Sequence, residues 1–262
     1  MNSVNKTLYI PLYGKAFVSK KGVFLADKKA EEIWAAEGFS LKGKSKSKWL
    51  AYYMGIRSAV FDEWLKEKLS ESPDAVVLHI GCGMDSRIER VGAKSKWYDI
   101  DFPEVIEERR LYYTETDSYK MVEGDARCGE WLTAIRESGH AIVVMEGVSM
   151  YLSPVEINEL FKNLDDKFEQ ISLLMDCYSV LAAKMSKYKN PVNDVGVTKV
   201  YGTDTPNFAE SGEFGFVKEH IMTPKHFIDE LCGFERYVFE KLYAGGFSKK
   251  LYRLYEYKKA QI

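Results

Sequence analysis

From residue 74 onward the chain alternates short apolar runs with segments of helical periodicity, and nearly every run stops at a glycine or an acid. No other feature constrains the fold as strongly. The runs are residues 75–80, 96–100, 119–122, 141–145 and 171–175. Apolar strands of that length are buried on both faces, and strands alternating with helices make a parallel sheet covered on either side. Helix-start signals sit where this pattern needs them. Pro103 opens one helix with Glu104 close behind; the proline lacks only an amide hydrogen that has no partner there, and the acid faces the positive end of the helix. Ser153, Pro154 and Glu156 mark the start of another as cap, proline and capping acid.

The flanks have a different character. Residues 1–72 read as mostly helical. Ala30, Ile33 and Trp34 recur at helical spacing in residues 28–37, and Leu50, Tyr53, Met54, Ile56, Val60, Phe61, Trp64 and Leu65 form one stripe over residues 47–69. Ser70-Glu71-Ser72-Pro73-Asp74 is a linker. At the other end, residues 235–242 and 250–257 are expected to form an antiparallel hairpin around Ala244-Gly245-Gly246-Phe247. The long, poorly periodic stretch 178–222 carries Tyr178, Tyr188, Tyr201, Phe208, Phe214 and Phe216. A connection of that length in one domain usually serves function.

The chemistry-bearing residues gather at the strand ends. Gly81-Cys82-Gly83 follows the first run, where two glycines let the backbone turn tightly and approach a ligand. A nicotinamide fingerprint would place a third glycine at Ser86. A glycine pair at a strand end is also an ordinary turn. Asp101, Asp125 and Glu146 follow the next strands in order, and the carboxyl ends of strands line the ligand crevice of such sheets. Asp101 is placed to meet the ribose of a nucleoside.

A competing motif is Gly38-Phe39-Ser40-Leu41-Lys42-Gly43-Lys44-Ser45, which fits a phosphate-cradling loop, with Asp176 as a candidate magnesium ligand. That loop needs a strand leading into it, whereas residues 28–37 read as a helix.

Composition removes other classes. With 37 basic and 39 acidic residues the net charge is −2, unlike the basic excess of a dedicated nucleic-acid binder. Hydrophobic residues at 46% suffice for a core. No apolar run approaches membrane-span length, the first residues contain no apolar signal segment, and Cys82, Cys128, Cys177 and Cys232 form no C-x-x-C pair. The expectation is a cytoplasmic protein with reduced thiols, no metal site, and no nucleic-acid or membrane partner.

Three blocks carry a resemblance: Gly81-Cys82-Gly83-Met84-Asp85-Ser86-Arg87, Tyr98-Asp99-Ile100-Asp101-Phe102-Pro103-Glu104-Val105-Ile106 and Glu146-Gly147-Val148-Ser149-Met150-Tyr151-Leu152. They resemble the leucine carboxyl methyltransferase family, and within it the bacterial tetracenomycin-type polyketide O-methyltransferases. Leu8-Tyr9-Ile10-Pro11-Leu12-Tyr13-Gly14-Lys15-Ala16 and Ile56-Arg57-Ser58-Ala59-Val60-Phe61-Asp62 resemble the same branch.

The resemblance implies a Rossmann-like α/β class I methyltransferase with a mostly parallel seven-stranded sheet and a C-terminal antiparallel hairpin. It implies a helical cover over residues 1–72 and an S-adenosylmethionine (SAM) domain over 73–262, with a lid insertion at about 178–222. The reaction implied is methyl transfer to a carboxylate or phenol oxygen of a small molecule or peptide, leaving S-adenosylhomocysteine. By the same resemblance Gly81 and Gly83 pass under the methionine part of SAM, and Asp101 holds the ribose. Asp125 and Ala126 meet the adenine, and Glu146 the amino group. Arg57 and Lys15 bind the carboxylate; the family often has Arg at the position of Lys15. Tyr151, just past Glu146, is the candidate to face the acceptor, with packing in the core as its other reading. The alternatives are a phosphate-loop nucleotide hydrolase using residues 38–45, and a SAM-binding protein without activity.

Overall fold

The computed structural model describes residues 8–37, 41, 43–92, 94–189, 200–206, 214–246 and 248–259. Three helices precede the sheet: α1 (Tyr9–Lys21), α2 (Lys28–Glu37) and α3 (Lys48–Glu71). The five expected strands all form, as β1 (Val76–Ile80), β2 (Trp97–Asp101), β3 (Tyr119–Glu123), β4 (His140–Met145) and β5 (Gln170–Tyr178). They pair in parallel, with α4 (Arg87–Val91), α5 (Pro103–Arg109) and α6 (Pro154–Lys167) among the connections. Ser153 caps α6 and completes a capping box with Glu156. After β5 come α7 (Val180–Lys189), β6 (Phe214–Glu219), α8 (Lys225–Asp229), α9 (Gly233–Leu242) and β7 (Tyr252–Lys259).

The strand order is β3-β2-β1-β4-β5-β7-β6, with β7 antiparallel to both neighbours. The order reverses between β1 and β4, which opens a crevice at the carboxyl ends of the central strands. Two apolar cores lie on opposite faces of the sheet. Along β1, Val77 packs into the core shared with α1–α3, while Val76, Leu78 and Ile80 pack into the one beneath α6. That alternation follows from the two-residue period of a strand. Among the described residues, no helix is long and apolar enough to cross a membrane.

Two expectations need correction. Residues 235–242 are helix α9, not a strand. The helix follows from what they pack against. Phe239 is fully buried against Tyr52 of α3, and Tyr243, four residues on, stacks on Phe239 at 5.4 Å between ring centroids. The aromatic content of this segment imitates strand propensity, but the residues through which it packs, Glu235, Phe239 and Tyr243, are four apart. The strand pairing with β7 is β6, so Phe214 and Phe216 lie at the sheet edge and not on an insertion over the crevice. Tyr188 and Phe208 fall where side chains or backbone lie outside the described residues. The phosphate-loop context also fails: helix α2 precedes it, and Gly43–Lys46 form a single 3-10 turn, while residues 38–40 and 42 lie outside the described residues.

Helix α3 departs from the expected single stripe. It is buried on nearly every side between residues 51 and 65, and its buried residues include Arg57, Ser58 and Asp62. Arg57 lines the crevice, Ser58 meets Glu146 and Arg87, and Asp62 pairs with Arg87 and Arg90, which explains why a buried helix carries three polar residues.

Helix α9 generates a direct test. Tyr237 is 60% exposed and Phe239 is fully buried, although a strand would put both on one face. Phe239→Ala is expected to lose about 3–5 kcal/mol in denaturant unfolding, and Tyr237→Ala no more than about 0.5 kcal/mol.

Candidate active site

The turn after β1 is shaped by two glycines at positive φ, +69° for Gly81 and +51° for Gly83, a region that side-chain-bearing residues rarely adopt. A Cβ on Gly81 would also lie 2.2 Å from Val148 Cγ2. The Gly81 N–H donates to the Ile100 carbonyl at 2.8 Å, tying the turn to β2. At the end of β2, Asp101 receives the Gly83 N–H on one carboxylate oxygen at 2.7 Å and the Phe102 N–H on the other at 2.8 Å. Burial pushes the Asp101 carboxyl up to about 6, against those two N–H groups and nearby Arg109.

The turn forms part of the wall of a cavity of about 440 Å³, within the usual range for cofactor sites. The predicted residues converge on it: Lys15, Arg57, Gly81, Gly83, Asp101, Asp125, Ala126, Glu146 and Tyr151 all line its wall, as do Asp85, Tyr178 and Tyr252.

One end of the cavity is a buried ionic network. Glu146, just past β4, accepts from Arg57 Nε at 2.9 Å and from Ser58 at 3.2 Å, and pairs with Arg87. Burial alone would raise its carboxyl, but Arg57, Arg87 and Lys15 outweigh that and hold it at about 2. Arg57 also donates through Nη1 to Asp176 at 3.0 Å and to the Tyr252 hydroxyl at 2.7 Å. Arg57 stays charged although burial opposes it, because Tyr252, Glu146 and Asp176 surround it. A Cβ on Gly147 would lie 3.4 Å from Arg57 Nη2, so the backbone there leaves room for the guanidinium. Burial raises the Asp176 carboxyl despite Arg57 and Tyr252, and the Gly147 N–H donates to it at 2.7 Å.

The network extends into the N-terminal helices. Lys15 of α1 pairs with Asp85 at 3.2 Å. Arg90 of α4 reaches Asp27 at 2.6 Å, Asp62 of α3 at 2.7 Å and Asp85 at 2.6 Å. Ser86, where a nicotinamide site would have glycine, donates to Asp27. Sequence reasoning gave no role to Asp27, Asp62, Asp85, Arg87, Arg90 and Tyr252, and offered Asp176 only as a magnesium ligand for the phosphate loop. A usable signal was present: Arg57, Ser58 and Asp62 fall within six residues in the middle of a helix that is apolar from Trp49 to Ile56.

At the other end, Asp125 lies two residues beyond β3 and is engaged by Arg127 through its backbone N–H and Nε, each at 2.9 Å. This end is more open, and the Arg127 side chain is 48% exposed.

A sequence profile of the family described as leucine carboxyl methyltransferase matches residues 3–165, more than half of the chain. The chain belongs to the leucine carboxyl methyltransferase family. It is similar to the tetracenomycin polyketide synthesis O-methyltransferase of Streptomyces glaucescens, with 27% identity over 91% of this chain and 90% of that protein. It is also 27% identical to a SAM-dependent methyltransferase of Gibberella zeae, over 48% of this chain and 45% of that one. Among solved structures, a plantazolicin methyltransferase bound to S-adenosylhomocysteine aligns with a TM-score of 0.53 at 13% identity, covering 99% of this chain and 98% of that one. The magnesium protoporphyrin IX methyltransferase of Synechocystis aligns at 0.50 with 11% identity, covering 94% and 97%. The fold is that of class I methyltransferases, and this family member is a SAM-dependent methyltransferase.

The residues present fit SAM. A glycine-framed turn meets a buried acid that has accepting capacity left on both oxygens, and an ionised Glu146 stands where an ammonium group can be neutralised. The raised Asp101 carboxyl predicts a pH dependence. With Asp101 in the ribose-binding role that the resemblance implies, the hydroxyls would donate to the ionised form, so SAM affinity is expected to be flat above pH 7 and to fall as pH drops through about 6. Asp101→Asn is expected to flatten that profile and weaken binding by about tenfold or more, the worth of a hydrogen bond to a charged group; isothermal titration calorimetry from pH 5 to 8 reads both.

Proposed function

We propose that this methyltransferase acts on an oxygen nucleophile, the carboxylate of a small, largely apolar acceptor. One observation carries the reading. The cavity wall includes Leu50, Met54, Met150, Tyr151, Tyr178 and Tyr252, while each acid near Arg57 is already engaged. Glu146 is held by Arg57, Arg87 and Ser58, and Asp176 by Arg57, Tyr252 and Gly147. His79 is buried, bonded to Asp99 at 3.1 Å, and kept neutral by burial. Among the described residues no group here is set up to take a proton from the acceptor. A carboxylic acid, ionised above pH of about 4, needs none, whereas a phenol with a pKa near 10 needs a base or a cation.

The residue roles in this reading are those the family resemblance implies, and the chemistry of each side chain agrees with them. Asp101 accepts from the ribose hydroxyls, and Asp125 with the Ala126 backbone meets the adenine. Glu146 neutralises the amino group. Lys15 and Arg57 face the cofactor carboxylate, the guanidinium with its Nη2, which takes no part in the bonds to Glu146, Asp176 and Tyr252. Bound SAM supplies a methyl group activated as a sulfonium substituent. The protein's contribution is then to hold the acceptor oxygen in line and to exclude water, and preorganisation of this kind supplies roughly 7–11 kcal/mol in favourable systems.

Residues 1–72 act as the helical cover of the 73–262 catalytic unit in this reading, and Tyr151 and Tyr178 contact the acceptor. The relative named for tetracenomycin polyketide synthesis supports a flat polyketide acid as one acceptor to try. The free cysteines, Cys82, Cys128, Cys177 and Cys232, support a reducing cytoplasmic setting.

The test is a screen of aromatic carboxylic acids, peptides with free C-termini and phenols against methyl-labelled SAM. The expected product is a base-labile methyl ester, formed at a rate that does not rise between pH 7 and 9. A base-stable methyl ether whose rate climbs with pH would replace the carboxyl reading with a phenolic one.

A further inference from the structure

Beneath the glycine turn lies a second buried ion pair that takes no part in the roles above. Arg109, the last residue of α5, is fully buried. Its Nη2 pairs with Asp99 of β2, its Nε donates to the Tyr119 hydroxyl at 3.2 Å, and its Nη1 donates to the Gly83 carbonyl at 3.0 Å. The guanidinium carbon sits 3.9 Å from the centroid of the Tyr113 ring. Asp99 is itself anchored by His79 at 3.1 Å, by Trp97 Nε1 at 2.8 Å and by Tyr119 at 2.6 Å.

The arrangement is more elaborate than stability requires. A buried ion pair is commonly no better than an apolar pair of equal volume, so its presence calls for another use. Here the use is visible in the connectivity. The Gly83 carbonyl is bonded to Arg109, and the N–H of the same residue is bonded to Asp101. Gly83 has a positive φ and no side chain to anchor it, so its orientation depends on those two bonds.

We propose that Arg109 is a positioning residue for the cofactor: anchored on Asp99, it fixes Gly83 from below so that the Gly83 N–H keeps the Asp101 carboxylate aimed at the ribose. The proposal rests on the reading of Asp101 as the ribose acceptor. Arg109 also stabilises the ionised form of Asp101 through space. Asp99 opposes it, and the other groups facing Asp101 are the Gly83 and Phe102 N–H groups and the Cys82 thiol, which burial keeps protonated.

Two variants test the proposal, by calorimetric titration with SAM from pH 5 to 8 alongside thermal melting. Arg109→Lys keeps the charge beside Asp99 but gives up the fork that spans Asp99, Tyr119 and Gly83. It is expected to bind SAM about three- to tenfold more weakly at pH 8, with the pH at which affinity falls unchanged. Arg109→Met combined with Asp99→Asn removes both charges and leaves no uncompensated ion. It is expected to melt cooperatively and to bind about tenfold more weakly at pH 8. Wild-type affinity in Arg109→Lys, or in the double variant if folded, overturns the proposal. Asp101→Asn separates the two readings: if that variant binds like the wild type, the ribose assignment is what fails.

Discussion

The contact between Arg57 and Glu146 holds the rest of the structure in register. It joins the middle of α3 to the end of β4, two elements 89 residues apart in sequence. Arg87, Asp85, Lys15 and Arg90 extend the same network to α1, α4 and the loop before α2. Apolar packing sets α3 against the sheet, but it cannot by itself fix rotation or depth. Buried charges do, because each one left unpaired costs on the order of 3–5 kcal/mol. The cavity is therefore defined by where these charges can be satisfied.

The two ends of the cavity differ in kind. At the Glu146 end every carboxylate has cationic partners, and the Glu146 carboxyl sits at about 2. At the Asp101 end the carboxyl is held mainly by backbone N–H groups and sits at about 6. A zwitterionic methionine moiety matches the first end, and neutral hydroxyls that donate match the second. Between them, the glycine turn approaches Val148 too closely for any Cβ at position 81. Geometry and charge thus call for the same ligand, which is why a dinucleotide reading loses to SAM at Ser86, whose hydroxyl serves Asp27 instead.

Much of this was legible in the sequence, for identifiable reasons. The five parallel strands are continuous apolar runs with glycine or acid after nearly every one, and that signal is local. Gly81, Gly83, Asp101, Asp125 and Glu146 could be found because strand ends converge in a doubly wound sheet, whereas Ala126 came only with the family resemblance. Arg57 and Lys15 needed the family resemblance, since a basic residue on a helix looks the same whether it faces solvent or a buried acid. Asp176 was noticed only as a possible metal ligand for a loop that has no strand leading into it. Helix α9 was misread because Tyr237, Val238 and Phe239 favour strands, while the contacts that decide the matter, Phe239 on Tyr52 and Glu235 on Tyr52, span more than 180 residues. Strand β6 was overlooked for the complementary reason: only Phe214 of its six residues is buried, so it carries little apolar signal.

The central claim is that one cavity, closed by α1 and α3 over the carboxyl ends of the strands, holds SAM with its amino group on Glu146 and its ribose on Asp101. A crystal structure with S-adenosylhomocysteine tests it most directly. The account predicts the amino nitrogen within hydrogen-bonding distance of a Glu146 oxygen, and the ribose hydroxyls on Asp101 while Gly83 retains its bond to that carboxylate. A nucleoside bound elsewhere, or seated here with its ribose away from Asp101, would contradict the account.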